Sequence, residues 1–303
     1  MKILYFDCFS GISGDMTLGA LLDLGLDQQS FLRELDKLGL NKEYEIEIKK
    51  GIKKGITGLD VTVRILHSHE ESHGVHSYLH VNDDAHCKKG AAGKFLQEKS
   101  DDGHHHDDHH HYGEHTHADS HAHVHSHDVV GVERDFRQIK ELIENSELSQ
   151  SVKDMALKIF EKLAMAEGKI HGIPYEQVHF HEVGAVDSIV DIVGTAICID
   201  MLKPDVIMAS PVNVGGGFVK CQHGIFPVPA PATLELLKGI PIYSQNARGE
   251  LVTPTGAAIL STLCQEFVEF PSMVVEKIGY GLGKRDHEVP NCLRVCWGEA
   301  LKK

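Results

Sequence analysis

The chain has 303 residues, a formal net charge of −14 at pH 7 and 42% hydrophobic residues, enough apolar material to build a core of domain size. That acidity excludes nucleic acid and anionic membrane surfaces as general partners, because both repel a negative surface. No apolar run reaches membrane-spanning length (189–201 is broken by Asp191, Gly194, Thr195 and Asp200), and Asp7 stands where a secretion signal would stay apolar.

Residues 2–9 read as a buried strand, followed by the small-residue turn Ser10-Gly-Ile-Ser-Gly-Asp15 and an amphipathic helix carrying Leu18, Leu21, Leu22 and Leu24. A second helix presents Phe31, Leu35 and Leu38 on one face. β-Formers gather over 44–48 and 60–66 around a Gly/Lys turn region, which predicts two antiparallel strands. Then comes an unusual tract: 18 of the 23 histidines fall between His67 and His127, most densely at His104, His105, His106, His109, His110 and His111. Imidazole is the commonest neutral nitrogen ligand for borderline divalent metals, and the interspersed acids add oxygen donors. Repetition without fixed spacing predicts many weak, exchangeable sites on a disordered insertion rather than one rigid centre. The plainer reading is a hydrated low-complexity loop that binds metal incidentally.

Beyond the tract the pattern predicts a short helix over 134–145. A longer one spans 149–171, with Val152, Met155, Ala156, Ile159, Leu163, Ala166 and Ile170 at helical spacing and Gly172 as its stop. Ser151 with Asp154 resembles a capping box. Residues 178–181 read as extended, and 185–202 as a helix apolar nearly all round, which must be buried. Short strands at 206–209, 240–243, 273–280 and 293–297 alternate with helices at 230–238 and 254–264. The expected class is α/β or α+β, a mixed sheet with packed helices interrupted by the disordered His-rich insertion. It divides into 1–66, 67–130 and 131–303. Seven cysteines without C-x-x-C pairing fit a reducing cytoplasm.

Three constellations carry candidate chemistry. In the first, 7–15, a strand passes through small residues into a helix start, which offers backbone N–H groups and the Ser10 and Ser13 hydroxyls to an anion. Ser10, Gly11, Ser13 and Gly14 are therefore candidate ligand-binding residues, with Asp7 and Asp15 positioned to flank a metal–phosphate pair. A tight turn with Ser13 as helix cap explains the glycines equally well. In the second, 178–191, His179 and His181 share one face of an extended segment beside Glu182, while Asp187 and Asp191 share a face of the next helix. His179, His181, Glu182, Asp187 and Asp191 form an N/O set that fits Ni, Mn, Fe or Zn. Carboxylates on a buried apolar helix are costly unless paired or metal-bound, although helix capping and core hydrogen bonds are the ordinary alternative. In the third, 214–233, Gly215 to Gly217 permit close approach of a ligand or another backbone. Cys221 and His223 are a secondary metal pair, more often structural. Residues 250–258 and 279–286 read as Gly/Thr/Pro turns, with Thr253–Pro254 starting a helix and Arg285 available to a carboxylate or phosphate.

Phe6-Asp-Cys-Phe-Ser-Gly-Ile-Ser-Gly-Asp-Met16, His179-Phe-His-Glu-Val-Gly-Ala-Val-Asp187, His223 to Thr233, Thr253-Pro-Thr-Gly-Ala257 and Gly279 to Arg294 occur in one order with the His-rich insertion. Together they resemble the LarC family, the nickel insertion proteins of nickel-pincer cofactor synthesis, over essentially the whole chain. The resemblance implies a nickel chelatase of the lyase class. Its substrate is pyridinium-3,5-bisthiocarboxylic acid mononucleotide, and it consumes CTP with Mn²⁺ or Mg²⁺ to complete the lactate racemase cofactor. A mechanism consistent with both the residues and the resemblance takes Asp15, Glu182 and Asp187 as catalytic carboxylates and rests the substrate's phosphate on Ser10 to Asp15. Full-length members continue for roughly another hundred residues, in a compact domain to which CTP binding is attributed. This chain is expected to be the nickel-binding N-terminal portion, with a separately encoded C-terminal domain as partner and a homo-oligomer as one allowed assembly. A nickel metallochaperone or store without catalysis, and a metal-dependent phosphoester hydrolase, are the competing classes.

Overall fold

The computed structural model describes residues 1–66, 134–180, 186–221 and 224–301, so the expected insertion over 67–130 lies outside the described residues. Strand β1 (Lys2–Asp7) is buried along nearly its whole length, as a strand covered on both faces must be. Helices α1 (Gly14–Asp23) and α2 (Gln28–Asp36) follow, the latter capped by Asp27, which accepts from the Ser30 amide at 2.9 Å. Strands β2 (Tyr44–Lys53) and β3 (Ile56–Ile65) then form one long hairpin, turning at Lys54 (φ 47°) and Gly55 (φ 86°). The expected strands at 44–48 and 60–66 are its base. The outer half of β2, Lys49 to Lys53, is largely exposed and rich in lysine, so alternation alone does not reveal it.

Helices α3 (Phe136–Asn145), α4 (Gln150–His171) and α5 (Val186–Leu202) come next. The chain continues through β4 (Val206–Ala209), β5 (Val212–Asn213), β6 (Gly215–Gly216), β7 (Phe218–Cys221), β8 (Gly224–Pro227) and α6 (Pro231–Leu236). It ends with β9 (Ile242–Tyr243), β10 (Gly249–Glu250), α7 (Pro254–Leu263), β11 (Glu266–Phe267), β12 (Met273–Leu282) and β13 (Cys292–Ala300). The predicted capping box at Ser151 and Asp154 does not form. Ser149 caps α4 by accepting from the Val152 amide, Asp154 accepts from the Gln150 side chain, and the capping box belongs to α3, between Asp135 and Gln138. Gly172 does end α4, at φ 68°.

Seven strands form one mixed sheet in the order β11-β4-β1-β13-β12-β3-β2. β1 runs parallel to β4 and antiparallel to β13, and β12 runs antiparallel to β13 and parallel to β3. The α/β expectation of a mixed sheet with packed helices is met. Helices α1, α2, α4 and α5 build the main core with one face of the sheet, and α5 is buried over most of its length, as its apolar circumference requires. On the opposite face Ile3, Tyr5, Met208 and Cys296 form a smaller cluster.

A second reading of the sequence is corrected. Residues 279–282 are not a turn but the end of β12, and its glycines seat α1 against strand backbone. A Cβ on Gly281 would lie 1.7 Å from the Met16 carbonyl oxygen, and one on Gly279 2.1 Å from that of Ala20. Gly215 likewise serves a close backbone approach, since its Cβ would lie 2.1 Å from the Gly249 oxygen across the β6–β10 pair.

Candidate functional site

Three helices begin around one cavity of about 350 Å³. Ser13, Gly14 and Asp15 open α1, Asp187 and Ser188 open α5 with Asp191 one turn on, and Thr253, Pro254 and Thr255 open α7. Val61 to Val63 of β3, Glu250 of β10 and Lys284, from the β12–β13 connection, complete the wall among the described residues. Small residues make this convergence possible. Gly11, at φ 75°, lies against Leu251, whose carbonyl oxygen would sit 2.0 Å from an added Cβ, and Gly256 meets the Ile12 oxygen at 2.4 Å in the same sense. A Cβ on Gly14 would fall 2.3 Å from Asp191 Oδ2, so glycine there lets the α5 carboxylate lie directly on the start of α1. Thr253 caps α7, accepting from the Gly256 amide at 3.2 Å, as its place before Pro254 predicts.

The backbone of the 10–15 turn is only partly available to a ligand. The Gly11 amide donates to the Cys8 carbonyl at 3.0 Å, and the Ile12 amide to that of Leu251 at 2.9 Å. Ser10 and Gly11, expected to bind an anion, are buried and are not among the described residues that line the cavity, whereas Ser13 and Gly14 are. Ser13 is the helix N-cap, but its hydroxyl donates to Asp15 Oδ1 rather than accepting from the helix. Asp7 does not join Asp15. It accepts from Arg294 (Nε at 2.8 Å) and lines a different cavity of about 300 Å³ with Tyr5, Tyr243, Phe270 and Arg294. The expected Asp7–Asp15 flanking of one metal–phosphate pair is therefore not formed.

Asp15, Asp187 and Asp191 do meet. Burial raises the pKa of each carboxyl; a hydrogen bond from Ser13 and the charge of Lys284 work against this at Asp15, and the Ser188 amide, 2.8 Å away, does so at Asp187. Asp191 is pushed furthest above the ordinary carboxylate range, by burial first and then by the charges of Asp15 and Asp187. Its Oδ1 is sealed from solvent with no hydrogen-bond partner among the described residues, so the ordinary core-bonded role for this acid is not realised there. Lys284, which the sequence reading passed over for Arg285, faces the cavity. Its ammonium donates to Asp60, to the Val61 carbonyl at 2.8 Å and to Thr62 Oγ1 at 2.6 Å, so its three protons are committed to β3. Arg285 instead donates to the Glu250 backbone oxygen at 3.2 Å and, among the described residues, not to a carboxylate. The Gly283-Lys284 pair after a glycine-rich strand end was the available signal.

His179 is exposed between the buried Val178 and Phe180, on a segment bridged to Asp135, and is not among the described residues lining the cavity. His181 and Glu182 lie outside the described residues, as do His223, His104, His105, His106, His109, His110 and His111. Among the described residues no three His, Cys, Asp or Glu side chains are grouped closely enough to cage a metal, and no helix is long and apolar enough to cross a membrane.

Residues 4–303 match the family model described as nickel insertion protein. The chain is 48% identical over 299 residues to a Clostridium kluyveri protein and 53% identical over 299 residues to one from Clostridium acetobutylicum. Both bear the name pyridinium-3,5-bisthiocarboxylic acid mononucleotide nickel insertion protein. A Desulfitobacterium hafniense protein of the same name is 43% identical over 299 residues. These alignments cover 99% of this chain but 62%, 64% and 59% of the respective relatives. No solved structure matches the chain.

Proposed function

Because the chain belongs to the nickel insertion protein family, we propose that it gathers nickel and places it in a pyridinium-3,5-bisthiocarboxylic acid mononucleotide, the compound in its relatives' names. The convergence of Asp15, Asp187 and Asp191 with three helix starts on one cavity carries this reading, because it offers a seat for a phosphate-bearing ligand. Nickel is the cargo. Imidazoles of the tract raise its local concentration by tethering, and His179, His181 and Glu182 receive it. Asp187 follows that segment directly and also lines the cavity, so it links the imidazole side to the substrate side. Thiocarboxylates then displace the harder protein ligands, drawn by their softness. Ser13 and Gly14 border the substrate's phosphate, and Asp15, Glu182 and Asp187 act as the catalytic carboxylates.

Use of CTP with Mn²⁺ or Mg²⁺ belongs, in this reading, to the portion of the relatives that the chain does not span. Unpaired thiols such as the buried Cys8 and Cys198 fit action in the cytoplasm. The test supplies the purified chain with nickel and the mononucleotide, with and without the remaining part of a relative and CTP. Appearance of the nickel product by absorption spectroscopy, dependent on this chain, is expected. Nickel binding without product in either arm would leave a carrier, and phosphate release from simple esters would favour a hydrolase.

A further inference from the structure

The cavity and the histidines offer different donors. Among the described residues the lining includes the carboxylate- and hydroxyl-bearing Ser13, Asp15, Thr62, Asp187, Asp191 and Glu250 beside Lys284, with neither an imidazole nor a thiolate. Oxygen sets suit Mg²⁺ and Mn²⁺, whereas imidazole suits nickel. We propose that the cavity seats a hard divalent cation, Mg²⁺ or Mn²⁺, held by Asp15 and Asp191 and completed by the phosphate of a bound mononucleotide, apart from the place where nickel is gathered. The phosphate part of this rests on the substrate proposed above.

Four observations support it. Asp191 Oδ1 is enclosed with no hydrogen-bond partner among the described residues, and an enclosed carboxylate is costly unless a cation or donor meets it. The lysine nearest to hand cannot fill that role, because its ammonium is bonded to Asp60, Val61 and Thr62. Gly14 leaves the space that brings Asp191 against the start of α1, beside Asp15. Finally, α1, α5 and α7 all turn their positive ends to the same space, which favours an anion beside the carboxylates only if a cation lies between them. Two carboxylates suffice for such an ion, since Mg²⁺ keeps several waters and takes one or two carboxylates plus ligand phosphates. A cavity of about 350 Å³ has room for such an ion, its waters and a phosphate.

The test titrates the full chain with Mn²⁺, following free Mn²⁺ by electron paramagnetic resonance, with and without inorganic phosphate as probe. Wild type is compared with Asp191→Asn and Asp15→Asn, whose folding is checked by thermal melting. The histidine tract is common to all three and cancels in the difference. Wild type is expected to bind one Mn²⁺ more than either variant, and phosphate to tighten that ion at least about fivefold in wild type only. Equal Mn²⁺ uptake by all three chains, or no effect of phosphate, overturns the proposal. Nickel uptake is measured in parallel with His179→Ala. Asp191→Asn should leave nickel unchanged, and its losing nickel together with Mn²⁺ would refute the separation of the two metals. Failure of the nickel-transfer assay with the Mn²⁺ result intact would refute the function reading alone.

Discussion

Asp191 is the residue at which stability and function pull apart. Its carboxyl binds a proton more tightly in the folded chain than in the unfolded one, because burial and the neighbouring Asp15 and Asp187 oppose ionisation. For a raised carboxyl the folded state is favoured most below the unfolded value near ~3.9, and that advantage is lost as pH rises through the folded value. Metal-free Asp191→Asn should therefore melt a few degrees above wild type at pH 7, a gain of about 1 kcal/mol or more, and the gap should close towards pH 4. Calorimetry at the two pH values decides it, and a variant less stable at pH 7 would show that the carboxylate is satisfied in the folded chain. Gly14→Ala works in the opposite sense. Its methyl would meet both Asp191 Oδ2 at 2.3 Å and Cβ at 2.7 Å, so the whole side chain must move. Overpacking of this kind costs about 1–3 kcal/mol, readable as a lower midpoint in urea with unchanged slope.

Elements bring these residues together, and the β12–β13 connection illustrates how. Lys284 ties it to β3, Lys53 reaches Asp286 at 2.7 Å from the end of β2, and Arg285 holds the Glu250 carbonyl. Lys284→Met keeps the stem and removes the three donated bonds, so faster amide exchange is expected in 283–291 and 60–62 while the core strands keep their protection. Uniform loss of protection would mean that the lysine supports the whole sheet instead. The same connection shows what the sequence made legible and what it did not. Helices α4 and α5 were readable because apolar spacing and all-round hydrophobicity reflect burial directly, and Thr253 and Gly172 because capping is local chemistry. The pairing of Asp187 with Asp191 followed from helical spacing. The joining of Asp15 to them, and the diversion of Asp7 to Arg294, depend on strand order across the sheet, which no local pattern encodes. Gly279 and Gly281 were misread for the same reason: a glycine that opens a turn and one that admits a helix look alike until the partner is known.

At the scale of the whole chain, nickel capture by imidazole should be set by pH. Eighteen of the 23 histidines lie between His67 and His127, and an imidazole ligates only when neutral. Protonation below about pH 6.5 removes those ligands and adds positive charge to a chain that carries −14 near neutrality, so both effects act against a bound cation. Nickel binding should therefore fall from several ions per chain at pH 7.5 to a small residue at pH 5.5, and recover on return to pH 7.5. Equilibrium dialysis with metal analysis measures this directly. Burial also raises the pKa of Asp15 and Asp191, so the cavity too would release a cation on acidification, and the nickel stoichiometry is what the experiment reads. Nickel retained undiminished at pH 5.5 would assign it to oxygen ligands rather than to imidazole, and the tethered-capture step would fail with it.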